Sequence, residues 1–235
     1  MKFEDTIKKI SSIAAGFVIF FLASGIYLSA KGFQFIDGEI VLVKGANASE
    51  LSSKNIPNNI VIPGGRSLGS SKAPVTLYEY SSLGCYHCAD FHLDTLPQIK
   101  KEYVDKGLVR IVFSDFPLDQ KSLKASLVAS CMPNSKYYDF IALLFKKQRE
   151  WSLSFNTEKT LAELASQNGL SESEAYKCMS DKERAQDLIS RRQEAMKTLE
   201  IQGTPTFVIA NRNSREVIFG ALDFKEIKPL IDKKL

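Results

Sequence analysis

Residues 75–88, which read VTLYEYSSLGCYHC, decide the fold of this chain. The β-branched and aromatic side chains of Val75–Tyr80 predict a strand, and the interruption that ends at Cys85 closes it. From Cys88 onward apolar residues recur at helical spacing on one face. They are Phe91, Leu96, Ile99 and Tyr103. Two cysteines separated by two residues are therefore predicted at the start of a helix that directly follows a strand.

The elements downstream predict a mixed sheet. A second strand is predicted at Val109–Phe113, and a strand–helix–strand unit needs a right-handed crossover and thus a parallel pair. About 80 residues of helical pattern follow, and within them Ser171 and Glu174 form a capping box that opens a helix. The period then returns to two at Thr206–Ala210 and Glu216–Phe219, which predict an antiparallel hairpin before a closing amphipathic helix.

The N-terminal segment predicts export. From residue 10 to residue 30 no side chain is charged, and about 21 helical residues just span a hydrocarbon core of roughly 30 Å. Lys8 and Lys9 precede this run, which places the N-terminus in the cytoplasm and the rest of the chain outside. Cleavage after Gly25 is the alternative to an uncleaved anchor. A buried core helix fits poorly, because the run has no polar face.

Composition excludes several classes of protein. The 235 residues are 25% charged and 44% hydrophobic, which are averages of globular proteins and exclude collagenous, disordered and polytopic membrane chains. The net charge of +4 is too small to indicate a nucleic-acid partner, and aromatic residues do not interleave with a basic stripe. Neither nucleic acid nor a cofactor is expected to bind.

Two motifs together carry a resemblance to a known family. Cys85-Tyr86-His87-Cys88 follows the first strand, and Gly203-Thr204-Pro205-Thr206 precedes the late hairpin. With the helical block between them, the chain resembles DsbA-like thiol-disulfide oxidoreductases of the thioredoxin fold. The resemblance implies an α/β thioredoxin fold with an inserted helical domain, preceded by a transmembrane or signal helix. The expected ranges are a signal anchor at 1–31, a spacer at 32–65, a thioredoxin-like domain at 66–118 and 201–235, and the insertion at 119–200.

The chemistry of the cysteine pair follows from its place on the helix. With Cys85 at the N-cap, the backbone N–H groups of His87 and Cys88 point at its sulfur, and the positive helix end favours thiolate. Cys88 shares the face of Phe91 and Ile99, so its thiol points toward the core. Cys85 is therefore predicted as the exposed nucleophile and Cys88 as the resolving cysteine.

Three further residues surround the pair in sequence. His87 matches the CxHC pattern of the DsbA-like family and is expected to stabilise the Cys85 thiolate. Glu79 shares a strand face with apolar residues; it is either a buried acid that takes the proton of Cys88, as the resemblance implies, or a carboxylate that reaches solvent at the strand end. His92 lies about two turns beyond Cys85 and is predicted to be a histidine on the helix surface.

The Thr204-Pro205 pair has a structural and a functional interpretation. A proline here simply ends one element before the next. The resemblance implies a cis bond at this position, with Thr204 facing the active-site sulfur and pairing its backbone with substrate.

The remaining cysteines, Cys131 and Cys178, lie on apolar helix faces of the insertion. They are either two buried free thiols or, as an even count in an exported chain suggests, a structural disulfide. Metal binding at the four ligand-type side chains near the first pair is disfavoured, because one short helix cannot wrap them tetrahedrally around an ion.

The sequence thus predicts an exported, monomeric enzyme anchored by residues 10–30 to the periplasmic side of the inner membrane. It would donate the Cys85–Cys88 disulfide to reduced exported proteins and exchange electrons with a reoxidising or reducing membrane partner. A disulfide isomerase or reductase is the nearest alternative. A peptide-binding chaperone or assembly factor, in which the two cysteines serve structure, is an alternative from another class.

Overall fold

The computed structural model describes residues 33–36, 39–42 and 53–235. The predicted membrane segment at 10–30 lies outside the described residues. In the part that is described, no helix is both long and apolar enough to cross a membrane. Strands β1 (Phe33–Ile36) and β2 (Glu39–Leu42) form an antiparallel hairpin, which belongs to a unit separate from the one that starts at Leu51.

The second unit is built on a six-stranded sheet. Its strands are β3 (Ser53–Ile56), β4 (Arg66–Leu68), β5 (Val75–Ser81), β6 (Val109–Asp115), β7 (Thr206–Ala210) and β8 (Arg215–Phe219). Their spatial order is β3-β8-β7-β5-β6-β4. β5 and β6 are parallel and all other neighbours are antiparallel. The mixed sheet expected from the order of elements is confirmed.

The edge strand β3 lies inside the range that we expected to be a spacer. It pairs with β8 through Ser53–Ile56, and of its four residues only Ile56 is buried. One buried residue produces no period-two pattern, which is why the sequence does not reveal this strand.

The helix after β5, α1, runs without a break over residues 86–104. Its α-helical parts, Tyr86–Asp90 and Leu96–Ile99, alternate with wider π-helical turns at Phe91–Thr95 and Lys100–Val104. Such turns are rare and occur often at functional sites. In the first of them three residues are buried: Phe91, His92 and Thr95.

Six helices form the insertion between β6 and β7. They are α2 (Gln120–Cys131), α3 (Asn134–Lys146), α4 (Gln148–Ser152), α5 (Thr157–Ser166), α6 (Glu172–Ser180) and α7 (Lys182–Leu199), and α8 (Phe224–Asp232) closes the chain. The predicted capping box of Ser171 and Glu174 opens α6. Asp119 caps α2 in the same way, with its carboxylate accepting from the Ser122 N–H at 2.8 Å.

Two main hydrophobic clusters meet at the first turn of α1. One joins strands β5, β6, β7 and β8 with α1 and α8. The other fills the insertion around the fully buried Trp151 and includes Leu83, Cys88 and Phe113 from the thioredoxin-like part. The cysteine pair therefore lies where the sheet and the insertion pack together.

Candidate active site

Cys85 occupies the N-cap of α1, as the sequence predicts. Its backbone is extended, with φ −84° and ψ 124°, and its side chain is partly exposed, whereas Cys88 is completely buried. Both are free thiols. Gln148 of α4 fixes the loop between β5 and α1. Its side-chain amide donates to the carbonyl oxygens of Leu83 at 2.7 Å and Cys85 at 2.9 Å. The insertion thus holds the nucleophile in place.

The loop before β7 faces the same sulfur. The Thr204–Pro205 bond is cis, in agreement with the resemblance, and the Cys85 thiol donates to the Thr204 carbonyl oxygen at 3.4 Å. The Thr204 hydroxyl is buried and has no hydrogen-bond partner within the described residues. The loop is held in turn by a bond from the Gly220 N–H to the Pro205 carbonyl at 3.1 Å.

The two thiols differ sharply in acidity. Hydrogen bonding by the Cys88 thiol is the largest effect that lowers the pKa of Cys85, from 9.0 to about 5, against the opposing effect of burial. The nearby Thr204 side chain and the backbone N–H groups of Cys88 and His87 lower it further. Burial is the main cause that raises the pKa of Cys88 far above its usual range, and its proximity to Cys85 adds to this. One sulfur is thus prepared as a thiolate and the other as a thiol.

His87 contributes to this acidity through its backbone N–H. Its imidazole is exposed, stacks against the Tyr86 ring at 3.9 Å between centroids, and lies 3.9 Å from the Asp90 carboxylate. A role for the imidazole in stabilising the thiolate remains a prediction.

Glu79 is fully buried, and so is His92. The His92 Nε2 atom lies 3.4 Å from the Glu79 Oε2 atom. The prediction that His92 is a surface histidine is wrong, because distance along the axis from Cys85 says nothing about which face a residue occupies. The sequence does contain a signal for burial of His92. It comes four residues after the inward-facing Cys88, and residues four apart share a helix face.

Cys131 and Cys178 form a disulfide between α2 and α6, with their Cα atoms 6.5 Å apart. Both residues are only partly buried, and they line a surface cavity of about 490 Å³ together with charged side chains that include Lys177 and Arg184. The disulfide is the second of the two alternatives that the sequence leaves open, and both cysteines pack against the hydrophobic core of the insertion.

A cavity of about 500 Å³ lies beside the Thr204–Pro205 loop. Its lining is formed by Lys54, Glu200, Gln202, Gly203, Thr204, Pro205, Thr206, Phe219 and Gly220. Backbone groups and an aromatic ring in one open groove suit an extended peptide. In the described part of the chain, no three histidine, cysteine or acidic side chains are arranged to hold a metal ion.

Comparison with known families agrees with this geometry. The family model described as thioredoxin matches residues 62–233, which include all strands from β4 onward and the entire insertion. The chain belongs to the thioredoxin family. Its resemblance to the DsbA-like members is confirmed by the relatives that follow.

Disulfide bond formation protein D of Bacillus subtilis is 29% identical to this thioredoxin-family chain over 194 residues, covering 80% of the chain and 85% of that relative. A Rickettsia bellii protein named as a protein-disulfide oxidoreductase is 29% identical over 143 residues, which are 60% of the chain. The match spans only 55% of that relative's length. The crystal structure of alpha-DsbA1 from Wolbachia pipientis superposes with a TM-score of 0.66 at 28% identity, covering 74% of the chain and 92% of that structure.

Proposed function

We propose that this protein is a thiol-disulfide oxidoreductase that donates its Cys85–Cys88 disulfide to reduced proteins. The observation that carries the proposal is that the pKa values of the two thiols are shifted in opposite directions. The pKa of Cys85 is lowered to about 5, whereas that of the buried Cys88 is raised. Stabilising the thiolate stabilises the reduced pair, which makes its disulfide a stronger oxidant by up to roughly 30 mV per pKa unit before solvent screening.

The reaction has two exchange steps. A substrate thiolate attacks Cys85 Sγ of the disulfide, the bond to Cys88 breaks, and Cys88 leaves with the electron pair and takes up a proton. A second substrate thiolate then attacks the substrate sulfur of the mixed disulfide, and Cys85 leaves as a thiolate. The substrate dithiol is oxidised to a disulfide and the cysteine pair is reduced by the same two electrons.

The assignment of roles follows the geometry. Cys85 is exposed enough to be attacked, whereas Cys88 is reached only by its neighbour. Thr204 lies against the Cys85 sulfur, and both Thr204 and Pro205 line the cavity of about 500 Å³, so we assign them to binding the substrate backbone. Glu79 is assigned to proton exchange with Cys88, and the Cys131–Cys178 bond to holding α2 and α6 of the insertion together.

The setting of the enzyme is also a proposal. Residues 10–30 would anchor it to the inner membrane with the domain at 66–118 and 201–235 in the periplasm, where reduced exported proteins are its substrates. The insertion at 119–200 would complete the site, since Gln148 binds the Cys85 loop. A membrane partner would reoxidise the pair between cycles.

The test is disulfide transfer to a reduced protein with two free thiols. We expect the oxidised chain to transfer about one disulfide per molecule, with the gain of substrate disulfide matched by loss of the Cys85–Cys88 bond in mass spectrometry. Cys85→Ala should transfer none. A wild-type chain whose disulfide does not exchange with the substrate would contradict the proposal and favour a chaperone with a structural cysteine pair.

Equilibration of the pair with glutathione separates the oxidase from its nearest alternative. An oxidase should remain reduced at glutathione ratios that oxidise an ordinary protein dithiol. A pair that is readily oxidised under those conditions would act as a reductase or isomerase instead.

A further inference from the structure

Glu79 and His92 form a buried pair that makes no hydrogen bond to any other group among the described residues. Apart from their mutual approach at 3.4 Å, neither carboxylate oxygen of Glu79 and neither ring nitrogen of His92 has a hydrogen-bond partner among the described residues. The walls around His92 are aromatic: the Phe145 ring lies 4.7 Å away between centroids, and the Phe113 ring meets it edge-on at 5.6 Å. Within the part of the chain that the structure describes, each group is therefore the only oppositely charged partner within ion-pair distance of the other.

This isolation determines how protons are held there. A lone carboxylate in apolar surroundings is strongly disfavoured, and so is a lone imidazolium. Holding one proton between the two groups avoids both situations, because the pair then carries no net charge whichever group binds the proton. Such a pair can release its proton to a nearby group that needs one and take it back later.

Cys88 is the group that needs a proton. It lies four residues before His92 on the inward face of α1, in the same cluster as Phe113 and Phe145. The negative charge of Glu79 contributes to keeping the pKa of Cys88 high, although burial has the larger effect. The charge state of the pair is thus coupled to the protonation of this thiol.

We infer that His92 is a positioning residue of the exchange reaction, which holds Glu79 and the proton that Cys88 gains and loses. The inference rests on the proposed function. When Cys88 leaves the disulfide as a thiolate, the pair gives it a proton. When the reduced enzyme is reoxidised, the Cys88 thiol returns that proton to the pair as its sulfur attacks Cys85 in the mixed disulfide.

None of the other described groups that face the pair can exchange a proton with Glu79 in place of His92. From β5 the Ser81 hydroxyl is turned to the same side and acts on Cys88, but it carries no charge. From α3, burial raises the pKa of both Tyr137 and Tyr138, and the nearby Glu79 raises it by a smaller amount, so both hydroxyls stay protonated. From β6 and β7 the residues in register with Glu79 are Phe113 and Phe207, which are apolar.

The test uses the full reduced chain and oxidised glutathione, which separate two steps. First the Cys85 thiolate attacks glutathione disulfide to form a mixed disulfide; then Cys88 loses its proton and attacks Cys85, releasing glutathione. Rapid quenching with mass spectrometry measures both rates across neutral and mildly acidic pH. The variant is His92→Phe, which keeps a ring of similar shape and removes both nitrogens.

We expect the first rate to be unchanged and the second to fall at least about 10-fold, toward the roughly 100-fold that acid–base groups contribute, with an altered pH profile. His92→Gln, which keeps an N–H donor, should restore part of the loss. Phe145→Leu disturbs the same packing without removing a polar atom and should leave the pH profile intact. In a Glu79→Gln background, His92→Phe should have little further effect.

An unchanged second step in His92→Phe would overturn the inference, and so would an equal loss with Glu79 already replaced. Failure of the first step in the wild-type chain would instead contradict the proposed function. If His92→Phe does not fold, as thermal unfolding would reveal, the comparison of His92→Gln with and without Glu79→Gln decides the question in the same way.

Discussion

The sulfur of Cys85 lies 3.4 Å from the carbonyl oxygen of Thr204, although 119 positions separate the two residues in the chain. The end of β5 and the start of β7 bring them together, since these strands are antiparallel neighbours that pair Tyr80 with Thr206. A substrate sulfur bonded to Cys85 must therefore lie against the Thr204–Pro205 loop. Thr204 thus connects the two features, because its carbonyl oxygen lies against the Cys85 sulfur and the residue also lines the cavity beside the loop, where we propose that substrate binds.

The first prediction concerns the division of labour between the cysteines. Cys88→Ala should accumulate mixed disulfides with substrate proteins, because the sulfur that resolves them is gone. Cys85→Ala should accumulate almost none, since Cys88 is completely buried. Non-reducing gels followed by mass spectrometry measure the difference. Comparable trapping by the two variants would refute the assignment.

The acidity of Cys85 predicts how the stability of the reduced protein changes with pH. The folded pKa of about 5 lies below the ordinary 9.0, so between these values the folded protein binds fewer protons than the unfolded chain. The stability contributed by Cys85 is therefore present toward alkaline pH and is lost as pH falls through about 5.

Urea unfolding at several pH values checks this. The free energy of unfolding of reduced protein minus that of oxidised protein should rise from about pH 5 to about pH 8. Reduced wild type should show the same rise relative to Cys85→Ser, which has no thiol to ionise at that position. Alkylation kinetics should show a reactive thiolate well below neutral pH. A thiol that titrates near its ordinary value would remove the physical basis of the oxidant.

The second disulfide should behave differently from the first. Cys131 and Cys178 are 47 residues apart, and closing a loop of this length stabilises the fold by about 4 kcal/mol in the loop-entropy model. Replacing both by alanine should lower Tm by roughly 10 °C. Mild reductant should open Cys85–Cys88 first, because the product thiolate of Cys85 is stabilised.

Mass mapping after graded reduction tests this order. Because Cys131 and Cys178 are partly exposed, burial alone cannot protect their bond from the reductant. The order of opening therefore reports the relative redox stability of the two bonds. If it opens before the active-site bond, a purely structural role is untenable.

A fourth prediction concerns Asp115 at the end of β6. Burial raises its pKa to about 6, against the opposing effects of the Ser126 hydroxyl, Arg191 and Arg66. The folded state then binds more protons than the unfolded chain between 3.8 and about 6, so stability falls as pH rises through this window. Asp115→Asn should flatten the fall and be more stable than wild type near neutral pH.

Denaturant titrations at about pH 4 and about pH 7 measure the slope. Ser126→Ala is the control: it removes the nearby hydroxyl that favours the carboxylate and should steepen the slope. An identical pH dependence in Asp115→Asn and wild type would contradict the prediction.

Much of this fold is determined by local sequence. The strand at β5, the N-cap at Cys85 and the capping box of Ser171 and Glu174 depend on residues within a few positions of one another. Local periodicity also places Cys88 on the buried face of α1. These features could be predicted because backbone propensity and side-chain period are set by near neighbours in the chain.

Only the tertiary structure decided which distant groups meet. The carboxylate beside His92 comes from β5 and the ring stacked on it from α3, and Thr204 reaches Cys85 through strand pairing. Strand β3 forms by pairing with β8, and its own side chains show no period-two pattern that would predict a strand. A buried polar group is destabilising unless a partner lies near it, and the fold brings in partners from distant parts of the chain. The free energy of such a contact therefore depends on residues far away in sequence.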